Sequence, residues 1–145
     1  MAIRDMRSGD RHVVFENARE MASILYPRLK VDVAKIDKLL AEAVYAGGYA
    51  KVVTDEQNQA VGALVAKVAP NSWAQRSHAA IMLWYSHLPG GGVALLRDFR
   101  RWIGESRAIR AAGMVHDSDQ MDPRMLVLAD RVGFKREGGA YVFWN

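Results

Sequence analysis

The 145-residue chain contains no cysteine, which excludes a disulfide framework, a thiolate nucleophile and a thiolate metal site. Histidine is scarce too. His12, His78, His87 and His116 are scattered without metal-ligand spacing, so no metal is expected. No apolar run approaches the roughly 18 residues that a membrane-spanning helix requires, and no membrane association is expected. Internal repeats, linkers and low-complexity stretches are also missing, so residues 1–145 are read as a single domain. The opening MAIRDMRSGDR is charged and holds no apolar signal core, which makes the cytoplasm the expected location.

What is present suits a packed, water-soluble domain, with 50% apolar and 25% charged residues. The formal net charge of +4 fits either a nucleic acid or an anionic small molecule. Arg97, Arg100, Arg101, Arg107 and Arg110 gather in one stretch. Such a run is a solvated helix face or the border of an anion site. Stacking of bases needs exposed aromatics beside the arginines. Phe99 and Trp102 fall at core positions instead, so nucleic acid ranks last among the expected partners.

In chain order, Ile3 to Met6 reads as a short strand and Ser8-Gly9-Asp10 as a turn ending in a helix N-cap candidate. A helix from about Arg11 carries Val14, Ala18, Met21 and Leu25 on one face and stops near Pro27. A second, from about Asp32 to Tyr45, has an apolar stripe of Val33, Ile36, Leu39, Leu40, Ala43 and Val44, and Gly47-Gly48 ends it. Tyr49 to Thr54 and Ala60 to Val68 then read as an antiparallel hairpin around the polar 55–59 turn. Further on, Asp122-Pro123 pairs an N-cap with a proline at the first helical position, and Gly133 is the left-handed cap of that helix. Phe134 to Glu137 and Ala140 to Trp144 read as a closing hairpin.

The centre of the chain runs from His78 to Glu105. Ala79 to Tyr85 is a buried-strand pattern, and Pro89 with Gly90, Gly91 and Gly92 breaks it. From Val93 a helix carries Leu96, Phe99 and Ile103 inward, flanked by Leu95 and Trp102, with Arg97, Asp98, Arg100 and Arg101 on its other face. Ala108 to Val115 is the next strand, expected parallel to the first. Strand, glycine loop and helix together aim free backbone N–H groups at an anion, since the first helical turn has no internal partners for them. A diphosphate suits such a loop. The spacing matches neither the P-loop nor the dinucleotide fingerprint.

His87-Leu88-Pro89-Gly90-Gly91-Gly92 resembles the Q/R-x-x-G-x-G/A signature of the GNAT N-acetyltransferase superfamily, with His87 in place of the usual Gln or Arg. Ala129 to Gly138 resembles the family's "YEKLGFxxxG" ending. The element order β-α-α-β-β-β, glycine loop, α-β-α-β-β matches that fold along the whole chain, most closely small single-domain members of bacteria and their phages. The resemblance implies an α/β (α+β) fold: a mixed, mostly antiparallel sheet of six or seven strands flanked by about four helices.

The resemblance also implies acetyl-CoA as donor and a small-molecule or peptide amine as acceptor, with a homodimer left open. Backbone amides from Leu88 to Val93 would hold the pyrophosphate, with His87, Pro89 and the Gly90, Gly91, Gly92 triplet shaping the loop. Leu83, Trp84 and Tyr85 would splay from Ala112 to Met114 and line the pantetheine slot, a backbone N–H near Trp84 polarising the thioester carbonyl. The family's general-acid tyrosine corresponds to Ala129 here. For the general base the candidates are His78 at the start of the strand, or His116 and Asp117 beyond the next one. Histidine titrates near neutrality and suits the task, but His78 also reads as an ordinary strand-edge residue. Without Ala129's tyrosine or a glutamate base, the alternative is a weak or inactive module that binds an acyl-CoA or a protein.

Overall fold

Alternating apolar residues build the sheet from its central hairpin. In the computed structural model, which describes residues 1–70, 77–114, 120, 122–136 and 143, Tyr49–Thr54 pairs antiparallel with Ala60–Ala69. The Asp55 carboxylate fastens their turn by accepting the N–H groups of Gln57 and Gln59, each at 2.9 Å. In chain order the strands are β1 (Ala2–Asp5), β2 (Tyr49–Thr54), β3 (Ala60–Ala69), β4 (Ser77–Ser86) and β5 (Ile109–Met114), and they lie in that same spatial order. Neighbours from β1 to β4 are antiparallel, whereas β4 and β5 are parallel, as the sequence spacing implies. The fold is thus the expected α/β arrangement with a mostly antiparallel sheet.

The helices are α1 (Arg11–Leu25), α2 (Val33–Tyr45), α3 (Gly91–Glu105) and α4 (Pro123–Val132). Asp32 caps α2 by accepting the Lys35 N–H, and Asp122 caps α4 by accepting that of Arg124. Asp10 does not cap α1. Its backbone is already helical, and its carboxylate is bound by the Arg4 guanidinium at 2.6 and 3.0 Å and by the Arg7 N–H. Arg4 holds that carboxyl below its ordinary pKa.

Five strands are present among the described residues, not six or seven. Phe134, Lys135 and Arg136, read from sequence as strand, carry no regular structure, and the rest of the expected closing hairpin falls outside the described residues except Phe143.

Each face of the sheet has its own core. Met6, Val14, Leu40, Val52, Ala63, Val65, Leu83 and Tyr85 fill the α1/α2 side. Tyr49, Val53, Leu64, Trp84, Leu95, Leu96, Phe99, Ala129 and Val132 fill the α3/α4 side. Leu95, Leu96 and Phe99 are wholly buried, and each such side chain contributes roughly 1.5–3 kcal/mol relative to exposure. They anchor α3 against β2, β3 and β4, and so fix where its N-terminus emerges. Among the described residues no helix is long and apolar enough to cross a membrane.

Candidate active site

A β-bulge divides β4. Leu83 pairs with Val65 and Ile81 with Ala66, which leaves Met82 as one extra residue without a partner in β3. The bulge shifts the phase of the strand. Ala79, Ile81 and Trp84 join the α3/α4 core, while Leu83 and Tyr85 join the α1/α2 core. On the other edge the parallel register runs from Ser77↔Ile109 to Ile81↔Met114. Leu83, Trp84 and Tyr85 therefore lie past the register of Ala112 to Met114, on the stretch of β4 that leads into the glycine loop.

That loop is held by side chains of β4. The Ser86 hydroxyl donates to the Leu88 carbonyl at 2.9 Å and accepts the Leu88 N–H at 3.1 Å. The Trp84 indole N–H donates to the Gly92 carbonyl at 2.9 Å. Gly90 precedes α3 with φ 78°, in the left-handed region that glycine enters without cost. Gly91 is buried against β4: a Cβ there would lie 2.4 Å from Ser86 Oγ and 3.1 Å from Val53 Cγ1.

Leu88 N–H is taken by Ser86, Pro89 has none, and Gly91 N–H goes to the Leu88 carbonyl at 2.9 Å. The N–H groups of Gly90, Gly92 and Val93 have no acceptor among the described residues. Of the backbone amides from Leu88 to Val93 that the resemblance implies for the pyrophosphate, these three are unbonded among the described residues. They stand at the N-terminus of a 15-residue helix, where the helix dipole favours an anion.

His87, in the position of the family's Gln or Arg, turns to α1, where its Nε2 lies 2.9 Å from Asn17 Oδ1. Its ring packs on Tyr85 at 5.4 Å between centroids. Burial, and secondarily the Asp10 charge, push the Tyr85 phenol up to about 12, so it stays protonated at neutral pH. Its hydroxyl is buried and has no hydrogen-bond partner among the described residues.

The sequence pattern places Asp98 on the polar face of α3, yet it is 8% exposed. Asp98 accepts the Tyr49 hydroxyl at 2.7 Å and lies 2.9 Å from Lys51 Nζ, and Arg101 pairs with its other oxygen. Burial alone would raise this carboxyl. The Tyr49 and Lys51 hydrogen bonds and the charges of Lys51 and Arg101 outweigh that and hold it below the carboxylate range. Tyr49 also packs edge-on against Phe99 at 5.1 Å. This network ties α3 to β2, a role that no spacing rule along one helix discloses.

The candidate bases divide. His78 pairs in register with Ala69 of β3 and Ala111 of β5, near the start of β4. Ala79 and Ile81 face α3 and α4, so strand alternation directs His78 to the α1/α2 side. It stands four residues before the bulge, about 13 Å along the strand at roughly 3.3 Å per residue. His116 and Asp117 lie outside the described residues. Ala129 is 5% exposed and packed within the α3/α4 core. Among the described residues, no group of three histidine or acidic side chains is placed to hold a metal ion.

No protein-family model matches the sequence, and no curated protein matches it. Solved structures do. A possible acetyltransferase from Clostridium difficile 630 superposes with a TM-score of 0.73 at 12% identity, covering 99% of this chain and 97% of that one. Ribosomal-protein-alanine N-acetyltransferase from Brucella melitensis gives 0.71 at 18% identity, over 95% and 86%. An aminoglycoside acetyltransferase from an uncultured soil metagenomic sample, in complex with sisomicin, gives 0.65 at 17% identity, over 99% and 94%. At these identities the likeness establishes the fold, and that fold is the GNAT acetyltransferase fold.

Proposed function

We propose that this chain, having the GNAT fold, is an acetyl-CoA-dependent N-acetyltransferase that moves the acetyl group directly from thioester to amine. One observation carries the reading: the N–H groups of Gly90, Gly92 and Val93, without a partner among the described residues, gather at the start of α3, where β4 ends beyond its bulge. They suit the diphosphate of a CoA, and the missing side chain at Gly90, with nothing within 4 Å of a Cβ there, leaves open space beside it. When bound, the donor supplies an acyl thioester open to nucleophilic attack.

The chain's own residues supply binding, orientation and proton handling. Leu83 to Tyr85 line the pantetheine arm, and a backbone N–H near Trp84 donates to the thioester carbonyl oxygen as charge develops there. His78 takes the proton of the incoming ammonium through a chain of waters, the span to the bulge being too long for direct contact. His116 and Asp117 are its rivals. Solvent or another group protonates the departing sulfur, since Ala129 stands where the family carries a tyrosine.

Ala129 also favours a second reading, a GNAT-like module that binds an acyl-CoA without turnover. Thermal unfolding with and without CoA, followed by thiol release across an amine panel, separates the two. The panel spans aminoglycosides and peptides with a free N-terminus, the acceptor classes suggested by the aminoglycoside and ribosomal-protein enzymes of like fold. At 100 times its dissociation constant, CoA adds about 2.7 kcal/mol of stability. Stabilisation with thiol release supports the enzyme, stabilisation alone across the full panel supports the module, and no stabilisation refutes both.

A further inference from the structure

We propose that Ser86 is a positioning residue of the glycine loop: its hydroxyl latches both backbone atoms of Leu88 and so sets the aim of the Gly90, Gly92 and Val93 N–H groups toward an anionic group of the ligand. The inference rests on the donor-binding reading and deepens it by naming the side chain that shapes the site.

A serine hydroxyl has one proton to give and lone pairs to receive, and here both capacities are spent on one residue. Ser86 donates to the Leu88 carbonyl at 2.9 Å and accepts the Leu88 N–H at 3.1 Å. The same carbonyl accepts the Gly91 N–H at 2.9 Å. Strand end, loop and first helical turn are thereby joined through one peptide group, on either side of Pro89 and the left-handed Gly90. Trp84, two residues earlier on the same face of β4, ties the helix side of the loop through the Gly92 carbonyl at 2.9 Å. A loop ordered before the ligand arrives spends less binding energy on ordering.

Packing shows that latch and loop are matched. A Cβ at residue 91 would fall 2.4 Å from Ser86 Oγ, so the middle glycine of the triplet makes room for the serine. At residue 92 the nearest atom to a Cβ, Trp84 Nε1, is 3.6 Å away. At Gly90 a Cβ would meet nothing within 4 Å, whereas Gly91 serves the latch.

The test uses the full chain with Ser86→Ala, Ser86→Gly, Gly91→Ala and the double variant Ser86→Gly/Gly91→Ala. Each is measured for unfolding temperature without ligand, for CoA affinity, and by competition for pantetheine, which keeps the arm but lacks the diphosphate. Ser86→Ala is expected to weaken CoA binding about tenfold, in line with the loss of neutral hydrogen bonds, with pantetheine unaffected. The double variant is expected to recover only part of the stability lost in Gly91→Ala, since the Val53 contact and the missing Leu88 bonds remain, and none of the affinity. Ser86→Gly replaces Ser86→Ala in the comparison if the alanine variant does not fold. CoA affinity equal to wild type in the Ser86 variants overturns the proposal. So does an equal loss for pantetheine, or recovery of CoA affinity in the double variant. A wild-type chain that does not bind CoA refutes the donor reading itself, a distinct result.

Discussion

Three consecutive glycines invite one explanation, but the structure gives each a different one, and alanine substitution separates them. At Gly90 the backbone is left-handed with φ 78° and a Cβ would meet nothing within 4 Å, so alanine suffers only conformational strain, roughly 1–2 kcal/mol. At Gly92 the closest atom lies at 3.6 Å, ordinary contact. Alanine fits there and gains up to about 1 kcal/mol of helix propensity. Gly91 is the tight position. Its Cβ would stand 2.4 Å from Ser86 Oγ and 3.1 Å from Val53 Cγ1, and Val53 is wholly buried and cannot retreat. Overpacking costs roughly 1–3 kcal/mol, and driving Ser86 aside forfeits its two bonds to Leu88, about 1 kcal/mol each. Less the helix-propensity gain, Gly91→Ala should lose about 2–4 kcal/mol, or roughly 6–13 °C in unfolding temperature for a chain of this length. Denaturant and thermal unfolding of the three variants should rank Gly92→Ala at or above wild type, then Gly90→Ala, then Gly91→Ala. A Gly91→Ala variant as stable as wild type, or Gly92→Ala as the weakest, would refute the packing argument.

Asp98→Ala leaves the Lys51 ammonium and Tyr49 hydroxyl facing an empty acceptor and should lose about 3 kcal/mol in denaturant unfolding, the lower end for a broken buried ion pair. The depressed Asp98 pKa means its contribution is full above the ordinary carboxylate value near 4 and is lost as pH falls through the lower folded value. The stability gap between wild type and Asp98→Asn should narrow in acid, and a gap constant with pH contradicts this. Tyr85→Phe removes a buried hydroxyl without a partner among the described residues and should raise stability at neutral pH by about 1 kcal/mol. With the folded pKa raised to about 12, the wild type should also lose stability as pH climbs from about 10 toward that value, and the variant less so; a destabilised Tyr85→Phe would show that the hydroxyl is bonded in solution. His78→Ala should lower turnover roughly 10²-fold with CoA affinity unchanged, and a near-wild-type rate would move the base role to His116, Asp117 or solvent.

Most of the scaffold is legible in the sequence because it rests on local periodicity. The Tyr49–Thr54 and Ala60–Ala69 hairpin, the Asp122 cap, Gly133 at the end of α4 and the parallel β4–β5 pair all follow from turn chemistry, capping and alternation. Less visible are features that depend on partners distant in the chain. Asp98 looks like one more charge on an arginine-rich helix face until Tyr49 and Lys51 are brought beneath it. The helix starts at Gly91 and not at Val93, since glycine carries no helical signal of its own and gains its place from the packing against Ser86. Met82 is hidden because Ile81-Met82-Leu83-Trp84 is an unbroken apolar run, and only the β3 register reveals the extra residue. A phase change between Ile81 and Trp84 is the signal that could have located it. Ser86 reads as a generic loop-edge serine, its bonds to Leu88 being too short in range to leave a pattern.

In the proposed function the backbone at the start of α3 binds the diphosphate of CoA. Amide chemical shifts of the ¹⁵N-labelled chain during a CoA titration test it most directly, with pantetheine as the control that lacks the diphosphate. Saturable shifts should be largest at the N–H groups of Gly90, Gly92 and Val93, smaller at Leu88 and Gly91 whose N–H groups are already bonded, and absent there with pantetheine. Saturable CoA binding that leaves those amides unmoved, or no binding at all, would contradict the claim.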